Sequence, residues 1–463
     1  MLFNSYEFIF IFLPITLFGY FLISKKSITF SNVWLAAASF FFYGYWDIRF
    51  VPILAGSILW NFLSGIIIDR AKNKKLMLFI AIAANIALLC YFKYTDFFIK
   101  SINKIAHTDW NLLNIVLPLG ISFWTFTQTA YLIDVYRGNT KPCSFVDYVL
   151  FVMIFPHLIS GPIINHSEMI PQFNESERHK LNLDNFTHGL MFFIFGLFKK
   201  VVIADSLAPV VDEYFNSSTL SILGAWIGVF AYTFQLYFDF SGYSEMALGL
   251  GKMLNIDFPI NFDSPYKSKS PIEFWQRWHM TLGSWIRDYL YIPLGGNRKG
   301  QVRKMMNLFI AMTLSGFWHG AGLKYIVWGI WHGLLLVINH TWRFYTKTHN
   351  IKLPKTLSGI ITFASVTLGW IIFKAGGIRS AFTIMKKLVD ISSIQSITIS
   401  QDQSWILLAL LILGVIIFRM PNTIELIKKH FKTNIRWILI AVFLTTTCIY
   451  FLNKNSVFLY FDF

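Results

Sequence analysis

The chain of 463 residues alternates long apolar stretches with short polar connections. A membrane-spanning helix requires about 20 predominantly apolar residues, and roughly ten or eleven stretches satisfy this criterion. This pattern predicts an all-α, polytopic membrane protein. Outside residues 305–333, spans are predicted near residues 8–23, 30–46, 51–68, 76–92, 112–133, 186–204, 221–240, 357–373, 404–418 and 436–452.

Two apolar segments depart from a simple span. Residues 145–165 contain Pro156, His157 and Pro162, which favours a kinked or re-entrant segment because proline disrupts helical hydrogen bonding. His157 remains open between a pocket residue and a hydrogen-bonded core histidine. In residues 221–240 and just beyond, the polar positions that interrupt the apolar pattern place acidic groups close to membrane depth; they are Asp239, Gly242 and Glu245.

Residues 305–333 contain two histidines, His319 and His332, and Lys324 is the only full charge among them. The glycines around residues 320–322 predict that the helix breaks where His319 lies. Non-helical backbone at membrane depth is tolerated only where it is buried in protein or lines a cavity. His319 is therefore predicted to form the floor of a pocket, whereas the sequence leaves open whether His332 converges on it.

Residues 257–304 form the least membrane-like part of the core, because tryptophans and tyrosines alternate there with charged side chains. This mixture predicts an amphipathic helix lying along the membrane interface.

Composition strengthens the membrane assignment. The chain is 55% hydrophobic and 14% charged, with a mean hydropathy of +0.53, and we expect one integral-membrane domain over residues 1–463. The net charge of +16 resides mainly in short connections, which places those connections in the cytoplasm and both chain termini on the outer side. A nucleic-acid partner is not expected, since no separate basic module exists. The three cysteines have no disulfide or metal-site spacing.

Three histidines are candidates for general acid–base chemistry: His319, His332 and His279. A metal pair is not expected, because no cysteine or carboxylate ligand lies near them in sequence. The aromatic tail at residues 453–463 contains Tyr460, for which two interpretations remain open. Its hydroxyl, deprotonated by a histidine, is a competent nucleophile, or its ring belongs to an aromatic belt at the membrane interface.

Several motifs carry a resemblance to a known family. The chain resembles the membrane-bound O-acyltransferase family, in particular its bacterial cell-envelope branch, along essentially its whole length. The motifs are PIEFWQRWHMTLGSWIRDYLYIPLGGNRKG (271–300), SGFWHGAGLKYIVWGIWHG (315–333), YFDFSGYSEMALGLGKMLNIDFPINFDSPY (237–266), the opening MLFNSYEFIFIFLP and the closing FLYFDF.

The resemblance implies roles for individual residues. His319 matches the catalytic histidine of the family, and His332 matches its second histidine. Tyr460 matches an acyl-carrying tyrosine in a C-terminal aromatic motif that is expected to dock into an outer funnel, where Asp462 departs from the usual neutral residue. Residues expected to shape the substrate site are Trp275, Arg277, Trp278, His279 and Trp318.

The resemblance also implies an architecture and an activity. The expected fold is a ring of transmembrane helices, with re-entrant helices, around a central funnel. The expected reaction moves acetyl from cytoplasmic acetyl-CoA, with no permanently bound cofactor, across the bacterial inner membrane. A periplasmic SGNH-type O-acetyltransferase is the expected partner, and peptidoglycan is the expected acceptor. The alternatives are alginate or another exopolysaccharide as acceptor, or a non-enzymatic acyl-group transporter or scaffold.

Overall fold

A computed structural model of the chain describes residues 1–391, 399–452 and 458–459. Every regular element within these residues is helical, which confirms the predicted all-α fold class. The chain divides into two compact units, Met1–Leu197 with Tyr243–Ile260 and Phe198–Gly242 with Asn261–Phe463. Each unit is described by itself below, and one integral-membrane domain stays a prediction.

The first unit begins with a π-helical turn, Phe8–Phe12, that continues into the first α-helix. Polar caps start several helices: the Ser27 hydroxyl, for example, accepts the backbone N–H of Phe30 and so satisfies one of the free donors at a helix start. The α-helices of this unit are α1 (Leu13–Ser24), α2 (Ile28–Gly44), α3 (Val51–Arg70), α4 (Lys74–Ala106), α5 (Ile121–Arg137), α6 (Phe145–Met153), α7 (Phe155–Leu158), α8 (His166–Asn174) and α9 (Leu183–Phe198).

Two predictions for the first unit meet different outcomes. The predicted break in residues 145–165 is confirmed, because α6 ends at Met153 and α7 is a separate short helix. The predicted helical start at residue 112 is wrong. The helix begins only at Ile121, since Pro118 and the left-handed Gly120 (φ 69°) precede it.

The second unit contains a π-helical turn at Lys199–Ala204 and another at Arg287–Tyr291. One helix, α11, contributes residues to both units. The α-helices are α10 (Asp205–Phe215), α11 (Ile222–Met253), α12 (Pro271–Arg277), α13 (Met280–Ile286), α14 (Gly300–His319), α15 (Leu323–His349), α16 (Lys355–Lys374), α17 (Ile378–Lys387), α18 (Gln401–Arg419), α19 (Thr423–His430) and α20 (Ile435–Phe451).

Two sequence predictions for residues 221–304 are wrong in detail. The span predicted to end at residue 240 continues as α11 to Met253. Asp239 and Glu245 belong to this helix, and both side chains are buried in the protein. Residues 257–304 do not form one amphipathic helix. Instead α12 ends at Arg277 and α13 starts at Met280, because His279 adopts a left-handed conformation (φ 45°) between them.

The predicted break beside His319 is confirmed. α14 ends at His319, Gly320 and Gly322 have extended backbone, and α15 begins at Leu323. The two helices pack closely, as shown by Gly316, where a Cβ would clash with the carbonyl oxygen of Tyr325. A Cβ on Gly329 would lie 2.5 Å from the Met312 carbonyl oxygen. Small residues at helix contacts are typical of membrane proteins, where close packing drives association.

The chain is a multi-pass membrane protein. Among the described residues, four helices are long and apolar enough to cross a membrane: Ile48–Arg70, Lys74–Ala106, Lys355–Lys374 and Gln401–Arg419. Shorter apolar helices are Phe8–Ser24, Ile28–Gly44 and Ile435–Phe451.

The contact between α14 and α15 predicts a difference between two glycine variants. Gly329→Ala forces a methyl group against main-chain atoms that cannot rotate away, and such overpacking costs about 1–3 kcal/mol. Gly376→Ala is the matched control, because nothing lies within 4 Å of a Cβ there. We expect a lower thermal midpoint for Gly329→Ala alone, measured on purified protein in detergent; equal midpoints would contradict the contact.

Candidate active site

His319 lies at the last position of α14, at the edge of the glycine break. Its side chain is buried, and its ring meets Trp328 edge-on with centroids 5.0 Å apart and Phe373 at 5.6 Å. The C-terminal end of a helix carries partial negative charge, which stabilises a positive charge on a histidine that accepts a proton there. This position would favour proton acceptance by His319, in surroundings formed by aromatic rings; its catalytic role stays a prediction.

His332 reaches the same aromatic residue from α15. Trp328 lies one helical turn before His332, and the two rings are 4.8 Å apart. Because α14 and α15 pack back on each other, the ring of Trp328 contacts both histidines. The structure therefore brings together His319 and His332, although 332 − 319 = 13 positions separate them.

The His332 ring is fully buried among aromatic side chains. Trp275 meets it edge-on at 5.2 Å, and Phe274 lies parallel to it at 6.4 Å. A Cβ on Gly369 of α16 would lie 2.6 Å from His332 Nε2. Only glycine therefore leaves room for the imidazole on that side.

Several buried polar atoms around His332 have no hydrogen-bond partner within the described part of the chain. They are both ring nitrogens of His332 and the indole nitrogens of Trp275 and Trp328. A buried polar atom left unsatisfied costs about 1–3 kcal/mol, and such atoms are rare in folded proteins. Unpartnered buried atoms also occur elsewhere among the described residues, and the four around His332 would be available to polar groups of a bound molecule.

The predicted substrate residues Trp278 and Arg277 occupy different surroundings. Trp278 is buried and packs against Trp370 at 4.8 Å, so it belongs to the aromatic wall. Arg277 is partly exposed and donates to the carboxylates of Glu273 (3.1 Å) and Asp263 (3.4 Å). These contacts tie α12 to the segment before it, whereas a direct substrate contact of Arg277 stays a prediction.

His279 lies in the turn between α12 and α13. This turn lies outside the candidate membrane spans. Its Nδ1 lies 3.1 Å from Asn261 Oδ1, and complete burial lowers the pKa of His279 to about 3. The ring is therefore neutral, and Nδ1–H donates because the amide oxygen can only accept. Thr281 also donates to Asn261 Oδ1 through both its backbone N–H and its hydroxyl. This network explains how His279 is fixed; its contact with a substrate stays a prediction.

Of two further predicted residues, the structure describes only Trp318. Trp318 is buried and its ring lies 4.9 Å from His319. Tyr460 lies outside the described residues, so its predicted role as a nucleophile stays a prediction.

His157 belongs to the first unit. Its Nε2 lies 3.0 Å from the carbonyl oxygen of Phe151, across the break between α6 and α7. This hydrogen bond favours the interpretation of His157 as a core histidine.

Sequence reasoning missed three residues of the aromatic site. Trp328 contacts both histidines, Phe373 meets His319, and Trp370 lies 6.0 Å from both Trp328 and His332. Trp370 and Phe373 lie in a stretch that reads as an ordinary span. The available signal was Gly369 beside a tryptophan within that span, a small residue next to a large one at a helix contact.

Comparisons with known proteins give a consistent picture. The sequence profile of MBOAT, the membrane-bound O-acyltransferase family, matches residues 108–381, which include His319 and His332. The chain is 41% identical to the peptidoglycan O-acetyltransferase of Helicobacter pylori over 435 residues, 87% of this chain and 82% of that protein. It is 40% identical to a probable alginate O-acetylase of Pseudomonas aeruginosa over 404 residues (85% and 76%). Identity to the teichoic acid D-alanyltransferase of Streptococcus thermophilus is 34% over 284 residues (55% and 68%).

The close approach of Gly369 to His332 predicts a local disturbance of the site. In Gly369→Ala the new methyl group displaces the imidazole and changes the emission of the neighbouring tryptophans. Gly359→Ala in the same helix is the control, since the nearest atom to its Cβ is 3.9 Å away. We expect a shifted tryptophan emission spectrum and a lower thermal midpoint for Gly369→Ala only. Identical spectra for both variants would show that His332 is not confined there.

Proposed function

The chain belongs to the membrane-bound O-acyltransferase family and is an acyltransferase, and on this premise we propose that it supplies acetyl groups for O-acetylation of peptidoglycan. The observation that carries the proposal is the convergence of His319 and His332 on Trp328 inside one buried aromatic site. Two histidines that share a water-excluding site fit proton transfer to and from a reacting hydroxyl.

The proposed reaction uses His319 as the general base and Tyr460 as the first acceptor. The phenol proton of Tyr460 moves to His319 while the phenol oxygen attacks the thioester carbonyl of acetyl-CoA. A C–O bond forms and the C–S bond breaks, and the departing thiolate takes the proton from His319 to give free CoA. The acetyl group then rests on Tyr460 as an ester.

The unsatisfied polar atoms around His332 support a role in binding. Its ring nitrogens and the indole N–H groups of Trp275 and Trp328 are suited to contact the thioester carbonyl or the phenol oxygen. In this arrangement His332 orients the reacting groups, and His319 moves the proton.

The proposed topology places donor and acceptor on opposite sides of the inner membrane. The basic connections of the chain face the cytoplasm, where acetyl-CoA is available, and the C-terminal tail enters from the periplasmic side. A periplasmic SGNH-type transferase then moves the acetyl group from Tyr460 to a polysaccharide hydroxyl.

Peptidoglycan is the preferred acceptor because the match to the peptidoglycan relative is the longer one, 435 residues against 404 for the Pseudomonas aeruginosa alginate relative. Alginate or another exopolysaccharide is the alternative. The sugar hydroxyl that loses its acetyl group when the chain is deleted identifies the acceptor.

The mechanism predicts that His319→Ala and Tyr460→Phe both abolish acetyl transfer. Loss of base assistance lowers the rate by about 10²–10⁴, and removal of the phenol oxygen removes the carrier itself. Envelope O-acetyl content is the measurement, in cells whose membranes contain equal amounts of each variant. The controls are His349→Ala and Tyr450→Phe, because both residues are exposed. Full acetylation in Tyr460→Phe would contradict the carrier role, and full acetylation in His319→Ala would contradict the base.

The identity of the donor predicts a covalent intermediate. The purified full chain in lipid nanodiscs, given acetyl-CoA with a labelled acetyl group, should release CoA and retain label on the C-terminal peptide. The label should disappear in Tyr460→Phe and persist in Tyr450→Phe. Label that persists without Tyr460 would place the acyl group elsewhere in the chain.

A further inference from the structure

Three charged side chains form a fully buried cluster in the second unit. Lys200, in the π-helical turn Lys199–Ala204, lies 2.7 Å from Asp205 Oδ1 and 2.7 Å from Asp239 Oδ1. The three side chains are between 1% and 4% exposed. Burying charges is costly, and a buried ion pair often stabilises a fold no better than apolar residues of similar size. Stability alone therefore does not account for the cluster.

The cluster also contacts the last described residues of the chain. The backbone N–H of Leu459 donates to Asp239 Oδ2 at 3.1 Å. Lys200 Nζ lies 4.7 Å from the ring centroid of Phe458, whose side chain is buried. An ammonium group over an aromatic face is an attractive arrangement, and it strengthens where water is excluded.

The net negative charge of the cluster favours an additional N–H donor. One lysine pairs with two aspartates, so the formal charge of the cluster is −1. Asp239 uses Oδ1 for Lys200 and presents Oδ2 to the tail. A hydrogen bond to a charged acceptor is stronger than a bond between neutral groups.

Leu459 and the candidate active site border the same hydrophobic cluster. Leu459 packs against the hydrophobic cluster that contains Trp328, Trp370 and Phe373. From α11, Tyr237 also lies 6.5 Å from Trp278, which packs on Trp370. The residue after Leu459 is Tyr460, and consecutive Cα atoms are about 3.8 Å apart.

We propose that Lys200, Asp205 and Asp239 form an anchor that holds the C-terminal tail by the Leu459 amide and the Phe458 ring, and so positions Tyr460 for acyl transfer. This proposal rests on the proposed function of Tyr460. The three charged residues are positioning residues: Asp239 binds the tail directly, Lys200 holds Asp239 and contacts Phe458, and Asp205 holds Lys200.

The first experiment measures the anchor without reference to activity. Hydrogen exchange at the Leu459 amide is followed by mass spectrometry of the C-terminal peptide, on the full chain in lipid nanodiscs. Asp239→Asn weakens a charge-assisted hydrogen bond, so exchange at Leu459 should accelerate about tenfold or more. Asp212→Asn is the matched control. It removes an aspartate of the same unit that pairs with Lys374 at 3.0 Å but is largely exposed, and it should leave the exchange unchanged.

The second experiment tests positioning with a variant that leaves the buried charges intact. Leu459→Pro removes the donating N–H, whereas Leu459→Ala keeps it and shortens only the side chain. We expect at least about a tenfold loss of envelope O-acetylation in Leu459→Pro relative to Leu459→Ala, by the same hydrogen-bond argument, at equal membrane content.

The outcomes separate the anchor from the carrier. Unchanged Leu459 exchange in Asp239→Asn would overturn the anchor. Equal acetylation in Leu459→Pro and Leu459→Ala would overturn its positioning role. If Tyr460→Phe retains full acetylation while the Leu459 amide stays protected by Asp239, the proposed carrier function fails and the anchor itself stands.

Discussion

The close backbone contact between α14 and α15 is the interaction on which the candidate site depends. Gly316 and Gly329 allow the two helices to approach until a side chain on either would meet main-chain atoms. That approach places His319, at the end of one helix, against Trp328 in the other. In a membrane, where lipid is as apolar as leucine, helices associate through such close packing rather than through the hydrophobic effect. Small residues therefore allow His319 and His332 to contact the same tryptophan, Trp328.

The second unit holds buried polar groups in two contrasting ways. Around His332, ring and indole nitrogens are enclosed by aromatic rings, without partners among the described residues. Around Lys200, the single ammonium group pairs with two aspartates, and a main-chain N–H from the tail donates to Asp239. The first arrangement is suited to receive a substrate, because its polar atoms have unused hydrogen-bonding capacity. The second is suited to hold a segment of the chain, because its partners are fixed.

Under the proposed function, these two sites would have complementary tasks in acyl transfer. Chemistry on a thioester requires a base shielded from water and an acceptor held in a defined position. The aromatic site supplies the shielding, and the proposed anchor restrains the tail that contains Tyr460. Neither a carrier without restraint nor a histidine open to water would meet both requirements.

The helical class, the break after His319 and the family could be predicted from the sequence, because apolar periodicity, glycines and long motifs are local properties. The sequence could not determine that α11 continues past Asp239, since a buried carboxylate is tolerated only when a partner such as Lys200 lies beside it. The sequence also could not predict that Trp370 forms part of the wall of the site, or that Arg277 donates hydrogen bonds to Asp263 and Glu273. The convergence of His319 and His332 on Trp328 was decided by tertiary structure alone, because helix packing sets which distant residues become neighbours.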